Sequence, residues 1–208
     1  NAEPTYRSAF LKSLGVQGRY LAKTAASESD PMDRMRAAMG LVYAGLCLPD
    51  ERKLLTSGLK IFVKAAAAAS LPDGGPASHN PSDLLERVAR LSQVRADLAA
   101  AGEAEIAGRL STMITGAIPT LRMLRHGDGG LGLFHGGRAE GTERVNRVLV
   151  DSGDTAPALG DAPETGLMRL AAGRVNVLMD AASTPTGRHA RTAHAAPLAM
   201  EVSIGRRR

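Results

Sequence analysis

Residues 121–138, LRMLRHGDGGLGLFHGGR, separate two parts of this 208-residue chain that differ in periodicity. The stretch begins as the last turn of a helix, passes through a glycine-rich turn into a short apolar segment, and closes on a second glycine pair. Upstream of it, apolar residues recur at the spacing of amphipathic helices; downstream, the alternation of strands appears. The stretch is therefore a hinge between two architectures, a site, or both, since it also contains two of the five histidines.

The composition is that of a globular protein, with 44% hydrophobic and 23% charged residues, and it excludes an intrinsically disordered chain. Because only 3% of the residues are aromatic, small and aliphatic side chains have to fill the core, which suits closely packed helices. The net charge of +5 favours an anionic partner. An acidic polysaccharide fits this charge. We expect no nucleic acid, because the chain lacks an aromatic-interleaved basic patch and any recognisable binding motif.

Two further features are read directly from the composition. No run of about 18 apolar residues occurs, so no membrane span is predicted. Cys47 is the single cysteine, which excludes an intrachain disulfide. Its place in an apolar helix end predicts a small buried residue.

Five helices are predicted upstream of the glycine-rich stretch. The first covers residues 5–26, with Phe10, Leu14 and Leu21 on one face. Asp30 and Asn80, each followed by proline, are predicted to cap the second and fourth helices. Apolar residues at helical spacing predict buried stripes in the second to fifth helices, among them Met35, Val42, Leu55, Leu59, Phe62, Leu84, Val88, Leu91, Leu98, Leu110 and Leu121.

Strands are predicted in the last third of the chain, after one more short helix in residues 141–151 and a loop in residues 153–163. Residues 167–171 and 175–180 form two strands around a turn at Gly173. Residues 198–204 form the clearest strand, in which Met200, Val202 and Ile204 alternate with Glu201 and other polar or small residues and share one face. Because three strands make an unfinished sheet, we expect the β domain to continue beyond the last residue.

The motifs of this sequence resemble those of the bacterial heparinase II/III-like family. The resemblance rests on LPDGG at residues 71–75 followed by Asn80-Pro81, RHGDG at 125–129 with LGLFHG at 131–136, TGLMRL at 165–170, and AHA at 193–195 before the strand at 198–203. It implies an α+β fold in which the C-terminal part of an (α/α) toroid is followed by the first strands of an antiparallel β-sandwich. The implied domains are a toroid portion at 1–138, a linker with a short helix at 139–163, and the start of the β-sandwich at 164–208.

The resemblance also implies a function, namely that of a polysaccharide lyase acting by β-elimination on an acidic, uronate-containing polysaccharide such as a glycosaminoglycan. In that reaction a cation or amide neutralises the uronate carboxylate, a base removes the C5 proton, and an acid protonates the departing O4. The family further implies a periplasmic or cell-envelope location. A cytoplasmic location stays open, because the sequence starts at Asn1 without a methionine and we expect its N-terminal segment to be missing.

The expected site residues lie mainly in the glycine-rich stretch. His126, His194 and Arg125 are the predicted catalytic residues, with the two histidines as proton-transfer groups. The predicted substrate-binding residues are Arg122, His79, Asn80, Asp128 and His135.

Each of these residues also has a structural interpretation. His126 can cap a helix C-terminus while Asp128 forms a turn. Arg122 and Arg125 can complement the helix dipole, Asn80 can serve only as an N-cap, and His135 can simply be packed.

Three positions depart from the family pattern. Met32-Asp33 stand where an Asn-His pair is expected, Asp83 where a Tyr is expected, and Thr192 where the first His of a His-x-His stretch is expected. The site is therefore active or degenerate. The alternatives are a non-catalytic protein that binds anionic glycans on the same scaffold and a structural helical module.

The cofactor is unknown. No metal ligand set is assigned, although the resemblance raises a structural divalent metal, such as zinc, near His194. The oligomeric state is not predicted.

Overall fold

The computed structural model describes residues 4–194 and 198–208. The chain divides into two compact units, Asn1–Ala68 and Ala69–Arg208. The first unit is helical, and the second contains helices followed by an antiparallel sheet, so the predicted α+β class is confirmed. The toroid, the sandwich and the three predicted domain boundaries stay predictions.

The first unit consists of α1 (Pro4–Thr24), α2 (Pro31–Cys47) and α3 (Arg52–Ala68). The Asp30 side chain accepts hydrogen bonds from the backbone N–H groups of Met32 and Asp33, at 2.8 and 3.1 Å, which confirms the predicted N-cap. Helices α2 and α3 pack closely because glycine stands at their contact. A Cβ at Gly45 would lie 2.2 Å from the backbone nitrogen of Leu55.

Two sequence predictions in this unit are wrong. Phe10, predicted to share the apolar face of α1 with Leu14 and Leu21, is 49% exposed and stacks on the exposed Tyr6, whereas Leu21 packs against the core of this unit. Cys47 is exposed because it is the last residue of α2.

The second unit begins with α4 (Pro81–Ala100) and α5 (Ala104–Met123), and α6 (Thr142–Ser152) follows the glycine-rich stretch. The Asn80 side chain accepts a hydrogen bond from the Ser82 N–H at 2.8 Å, so its predicted capping role is confirmed. The apolar stripes of these helices form the core, with fully buried residues that include Leu84, Val88, Leu91, Leu98, Leu110, Ile114 and Leu121.

The LPDGG loop at residues 71–75 is tied to the start of the sheet. The Asp73 carboxylate accepts hydrogen bonds from the backbone N–H and the hydroxyl of Thr165, both at 2.7 Å. A Cβ at Gly75 would lie 1.7 Å from the Thr165 hydroxyl oxygen, so this approach requires glycine. The two motifs, nearly a hundred residues apart in sequence, are therefore joined through Asp73.

The sheet is antiparallel in the order β1 (Asp161–Ala162), β2 (Leu167–Ala172), β3 (Val175–Asp180) and β4 (Met200–Ile204). The hairpin predicted around Gly173 is confirmed. The short strand β1 falls in the predicted loop 153–163, and the last strand begins at Met200 because Leu198 adopts a positive φ of 62°.

One face of this sheet is apolar and largely exposed. Its side chains form three cross-strand rows: Met168, Met179 and Met200; Leu170, Val177 and Val202; and Ala172, Val175 and Ile204. An exposed apolar face is what a second sheet covers in a sandwich. The opposite face of the sheet carries polar residues and packs against the rest of the unit.

Candidate functional site

The glycine-rich stretch continues from α5 as a loop, residues 124–137, which we call the junction loop. Its first turn is closed by hydrogen bonds between the His126 N–H and the Gly130 carbonyl and between the Gly129 N–H and the His126 carbonyl, both at 2.9 Å. The Asp128 carboxylate accepts a hydrogen bond from the Gly130 N–H, also at 2.9 Å. A 3₁₀ turn, Phe134–Gly136, ends the loop. The loop therefore presents its two histidines to the polar face of the sheet.

The first histidine, His126, is completely enclosed and bonded through both ring nitrogens. Its Nε2 lies 2.9 Å from a carboxylate oxygen of Glu201, and its Nδ1 lies 3.1 Å from the hydroxyl of Ser203. With a proton on Nε2, the ring donates to Glu201, and Nδ1 accepts from the Ser203 hydroxyl. The His126 side chain is 0% exposed, and neither nitrogen is free to take a proton from a substrate.

Glu201 links this histidine to the rest of the loop. Its second carboxylate oxygen accepts a hydrogen bond from the Leu133 N–H at 2.6 Å. Burial alone would raise the pKa of Glu201, but the hydrogen bonds from His126 and Leu133 outweigh burial and hold that pKa below its ordinary value. This arrangement favours the structural interpretation of His126.

The second histidine, His135, meets a different carboxylate. Its Nε2 lies 2.7 Å from an oxygen of Asp180, and the two side chains are only 3% and 4% exposed. The approach lacks the direction of a hydrogen bond, and neither ring nitrogen of His135 has a hydrogen-bond partner among the described residues. The His135–Asp180 pair is therefore close but not hydrogen-bonded, whereas His126 and Glu201 are hydrogen-bonded.

His79 completes this group, which we call the His79–His135–Asp180 cluster. The two imidazole rings meet edge to face with their centroids 5.6 Å apart. The Nδ1 atom of His79 is buried, and no described residue bonds to it. The pKa of His79 is lowered, mainly by burial and next by the charge of His135, while Asp180 and Asp73 oppose the shift.

An arginine pocket lies at the C-terminal end of α5, with a cavity of about 350 Å³. Arg122, Arg125 and Arg169 line it together with His126 and residues 155–158, and no carboxylate is among these described lining residues. Burial lowers the pKa of Arg125, and the neighbouring charges of Arg122 and Arg169 lower it further. The structure thus brings the two predicted arginines together and adds Arg169.

Backbone carbonyls and amides hold the arginines in place. Arg169 donates toward the carbonyls of Arg122, Met123 and Arg125 at 3.3–3.4 Å, which caps the end of α5. Arg125 donates to the Asn146 side chain at 2.7 Å, and Arg122 donates to the Asp154 carbonyl at 2.9 Å. The Nε of Arg122 is buried without a partner among the described residues.

The remaining predicted site residues lie elsewhere. Asp128 pairs with Arg208 through two hydrogen bonds, at 2.8 and 3.1 Å, which lower its pKa. Asn80 is occupied as an N-cap. His194 is exposed and is not among the residues that line the arginine pocket. The catalytic and substrate-binding roles of these residues stay predictions.

Two further sequence features concern substituted positions and metal. Asp83, at the position expected for a Tyr, accepts a hydrogen bond from the Ser78 hydroxyl at 2.6 Å. Within residues 4–194 and 198–208, no group of three or more His, Cys, Asp or Glu side chains could hold a metal ion. The zinc ion raised for the surroundings of His194 thus has no ligand set in these ranges. Ala195, in the quoted AHA motif, lies outside them.

Sequence reasoning missed Arg169, Asp180 and Glu201. All three are charged residues on strands whose other face is apolar. A charged residue in such a strand was the signal in the sequence that could have marked them as functional candidates. Nothing in the sequence indicated which histidine each carboxylate meets.

The sequence of this chain is similar to a known family and to a characterised bacterial protein. Residues 154–208 match the model of the C-terminal heparinase II/III-like family. FtsZ-localized protein C of Caulobacter vibrioides is 30% identical over 191 residues, which cover 91% of this chain and 32% of that protein.

Solved structures show a similar fold. The crystal structure of a mutant heparan sulfate lyase HepC from Pedobacter heparinus superposes with a TM-score of 0.72 at 14% identity, over 98% of this chain and 36% of that one. A second crystal structure of HepC from Pedobacter heparinus, which is not described as a mutant, gives a TM-score of 0.69 over the same shares of the two chains. The chain thus spans about a third of the length of these proteins. No helix in the described ranges has the length and apolar character needed to cross a membrane.

Proposed function

We propose, for a chain that is heparinase II/III-like in its C-terminal sequence and in its fold, that the protein binds an acidic, uronate-containing polysaccharide at the arginine pocket. The observation that carries this proposal is the convergence of Arg122, Arg125 and Arg169 on one cavity whose described lining has no carboxylate. Three cations around a cavity whose described lining has no carboxylate favour an anionic ligand.

The chemistry of the guanidinium group supports a sugar acid or a sulfate as that ligand. Arginine presents a planar fork of N–H donors that matches a carboxylate or a sulfate in a bidentate manner. The carbonyls at the end of α5 use some donors of Arg169, and the buried Nε of Arg122 still lacks a partner in the described residues. An acidic group in the pocket would relieve the mutual repulsion that lowers the pKa of Arg125.

β-Elimination is the reaction that we propose for the bound polysaccharide. The similar fold of HepC, a heparan sulfate lyase, supports this reaction class. The alternative, a non-catalytic protein that binds anionic glycans, is supported by the enclosed His126 and by the substitutions at Met32, Asp83 and Thr192.

The experiment uses the full-length protein and a panel of uronate polysaccharides, with and without sulfate. Binding is measured by calorimetry at several salt concentrations, and elimination is followed by the ultraviolet absorbance of the unsaturated uronate. Binding with new absorbance supports a lyase, binding without absorbance supports the non-catalytic protein, and the absence of both leaves the structural helical module.

A matched pair of variants tests the pocket. Arg122→Gln and Arg125→Gln should each weaken polysaccharide binding by about 10-fold or more, because each removes charge-assisted hydrogen bonds. Arg147→Gln, an exposed position on α6, removes the same charge outside the pocket and should leave the affinity unchanged. Equal losses of affinity in all three variants would show that the pocket arginines act only through the net charge of the protein.

The relative from Caulobacter vibrioides suggests a location. Its name describes localisation with FtsZ, and it shares 30% identity with 91% of this chain. We extend that location to the full-length protein as a second proposal, beside the periplasmic or cell-envelope location implied by the family. Imaging a fluorescent fusion together with FtsZ, combined with cell fractionation, separates the two locations.

A further inference from the structure

We propose that His79 is the general base of the elimination and that His135 and Asp180 position it. This inference rests on the proposed function, because it assigns residues to the proton transfer of that reaction. It differs from the sequence prediction, which gave His79 and His135 to substrate binding and did not include Asp180.

Three histidine ring nitrogens of this cluster make no hydrogen bond to the described residues. Buried polar atoms in folded proteins are nearly always hydrogen-bonded, and leaving one unpaired costs about 1–3 kcal/mol. Nδ1 of His79 and both ring nitrogens of His135 are buried without a partner in the described residues. His79 itself is only partly buried. Unused hydrogen-bonding capacity therefore remains in the cluster, beside a residue that is not fully enclosed.

The two histidines of the cluster share an unusual backbone conformation. His79 has a φ of +57° and His135 a φ of +48°, in the left-handed region that residues other than glycine seldom adopt. Such strain persists where the surrounding structure enforces it, and it is concentrated at functional sites. Both rings that meet in the cluster are thus held by strained backbone.

A basic segment lies near the cluster. A short 3₁₀ helix, Gly187–Arg191, carries three basic residues, and its His189 is near enough to lower the pKa of His79. Thr192, the residue that directly follows this helix, lies against the cluster's loop, since a Cβ at Gly136 would lie 2.9 Å from the Thr192 carbonyl oxygen. A substrate carboxylate near His79 would meet this basic segment.

The protonation of His79 suits a base. Burial and the charges of His135 and His189 lower its pKa, while Asp180 and Asp73 raise it, and the balance is a lowered value. A lowered pKa keeps the imidazole neutral at neutral pH, and the neutral form is the one that accepts a proton.

The proposed step balances within the substrate and His79. An imidazole nitrogen of His79 takes the proton from C5, the electron pair of that bond forms the C4–C5 double bond, and the C4–O4 bond breaks. The departing O4 takes the proton back from the imidazolium, so His79 returns to its neutral state. The Asp180 carboxylate holds the pair of histidines in place.

The test uses three forms of the full-length protein: wild type, His79→Asn and Asp180→Asn. Asparagine tolerates a positive φ, so His79→Asn preserves the backbone. We expect His79→Asn to lose about 100-fold or more in kcat/KM for elimination, the usual contribution of a general base, with unchanged polysaccharide affinity. Thermal unfolding verifies that each variant is folded.

Asp180→Asn tests the positioning role through a pH profile. Since the negative charge of Asp180 raises the pKa of His79, its removal should move the acidic limb of the kcat/KM profile to lower pH. A merely structural Asp180 would lower the rate without moving that limb. If His79→Asn does not fold, the pH profile of Asp180→Asn alone decides whether His79 is the general base.

The outcomes separate the two proposals. Wild-type protein that binds polysaccharide without elimination overturns the assignment of His79 and leaves the proposed binding intact. Full elimination by folded His79→Asn also overturns it. The absence of any polysaccharide binding overturns the proposed function itself.

Discussion

The junction loop places two histidines against two carboxylates of the same sheet face, and the two pairs are built differently. His126 bonds through both nitrogens to Glu201 and Ser203, whereas His135 lies within 2.7 Å of Asp180 without a directional bond. The backbone of His135 adopts a positive φ, which His126 does not. The same residue types thus form a satisfied structural link at one position and an unsatisfied, strained contact nine residues later.

The difference follows from what each strand offers. Glu201 and Ser203 stand two residues apart on β4, so they share a face and reach both nitrogens of one ring. Asp180 is the last residue of β3, where the Ala182 N–H occupies its other oxygen. A complete network rigidifies its residues, whereas an incomplete one keeps bonding capacity for another molecule. Stability and chemistry are therefore expected to reside in different histidines.

The largest expected effect is on the stability contributed by the first pair. His126→Asn removes both ring hydrogen bonds and leaves Glu201 and Ser203 without their partner, which should lower the free energy of unfolding by about 3 kcal/mol. Urea unfolding of the full-length protein measures this value. A loss below about 1 kcal/mol would mean that the network does not stabilise the fold.

The next largest effect is expected in the pH dependence of stability, to which Glu201 should contribute. Its pKa is lowered in the folded protein from an ordinary value of 4.5, so its contribution is fully present above that pH and is lost as the pH falls through the folded value. The stability difference between wild type and Glu201→Gln should therefore shrink below pH 4.5. A difference that stays constant down to acid unfolding would contradict this assignment.

The sequence predicted the local parts of this arrangement and not the long-range ones. Asp30 and Asn80 were identified as caps because a cap depends on its immediate neighbours. Alternation in the last strand showed that Val202 and Glu201 lie on opposite faces, but alternation does not show which face packs inward. In the structure the apolar set is exposed and Ser203 is buried.

The candidate site was predicted in part for the same reason. Arg122 and Arg125 converge because they are only three residues apart, on either side of the C-terminal end of α5, a relation that is visible in the sequence. The pairing of His135 with Asp180 joins residues 45 positions apart through the register of the sheet. The sequence could therefore supply the histidines but could not assign one carboxylate to each.

The smallest expected effect is on stability at the second pair, and it is the sharpest test of the comparison. His135→Asn is the same substitution as at His126, and asparagine tolerates the positive φ at this position. Because it removes nitrogens that make no hydrogen bond to the described residues, the free energy of unfolding should change by no more than about 1 kcal/mol. The measurement is urea unfolding beside His126→Asn under identical conditions. Equal losses at both positions would show that the Asp180 contact stabilises the fold as strongly as the Glu201 network does. A small loss at His135 together with a changed pH profile of elimination would instead assign this histidine to the reaction, since only the unsatisfied pair has bonding capacity to contribute.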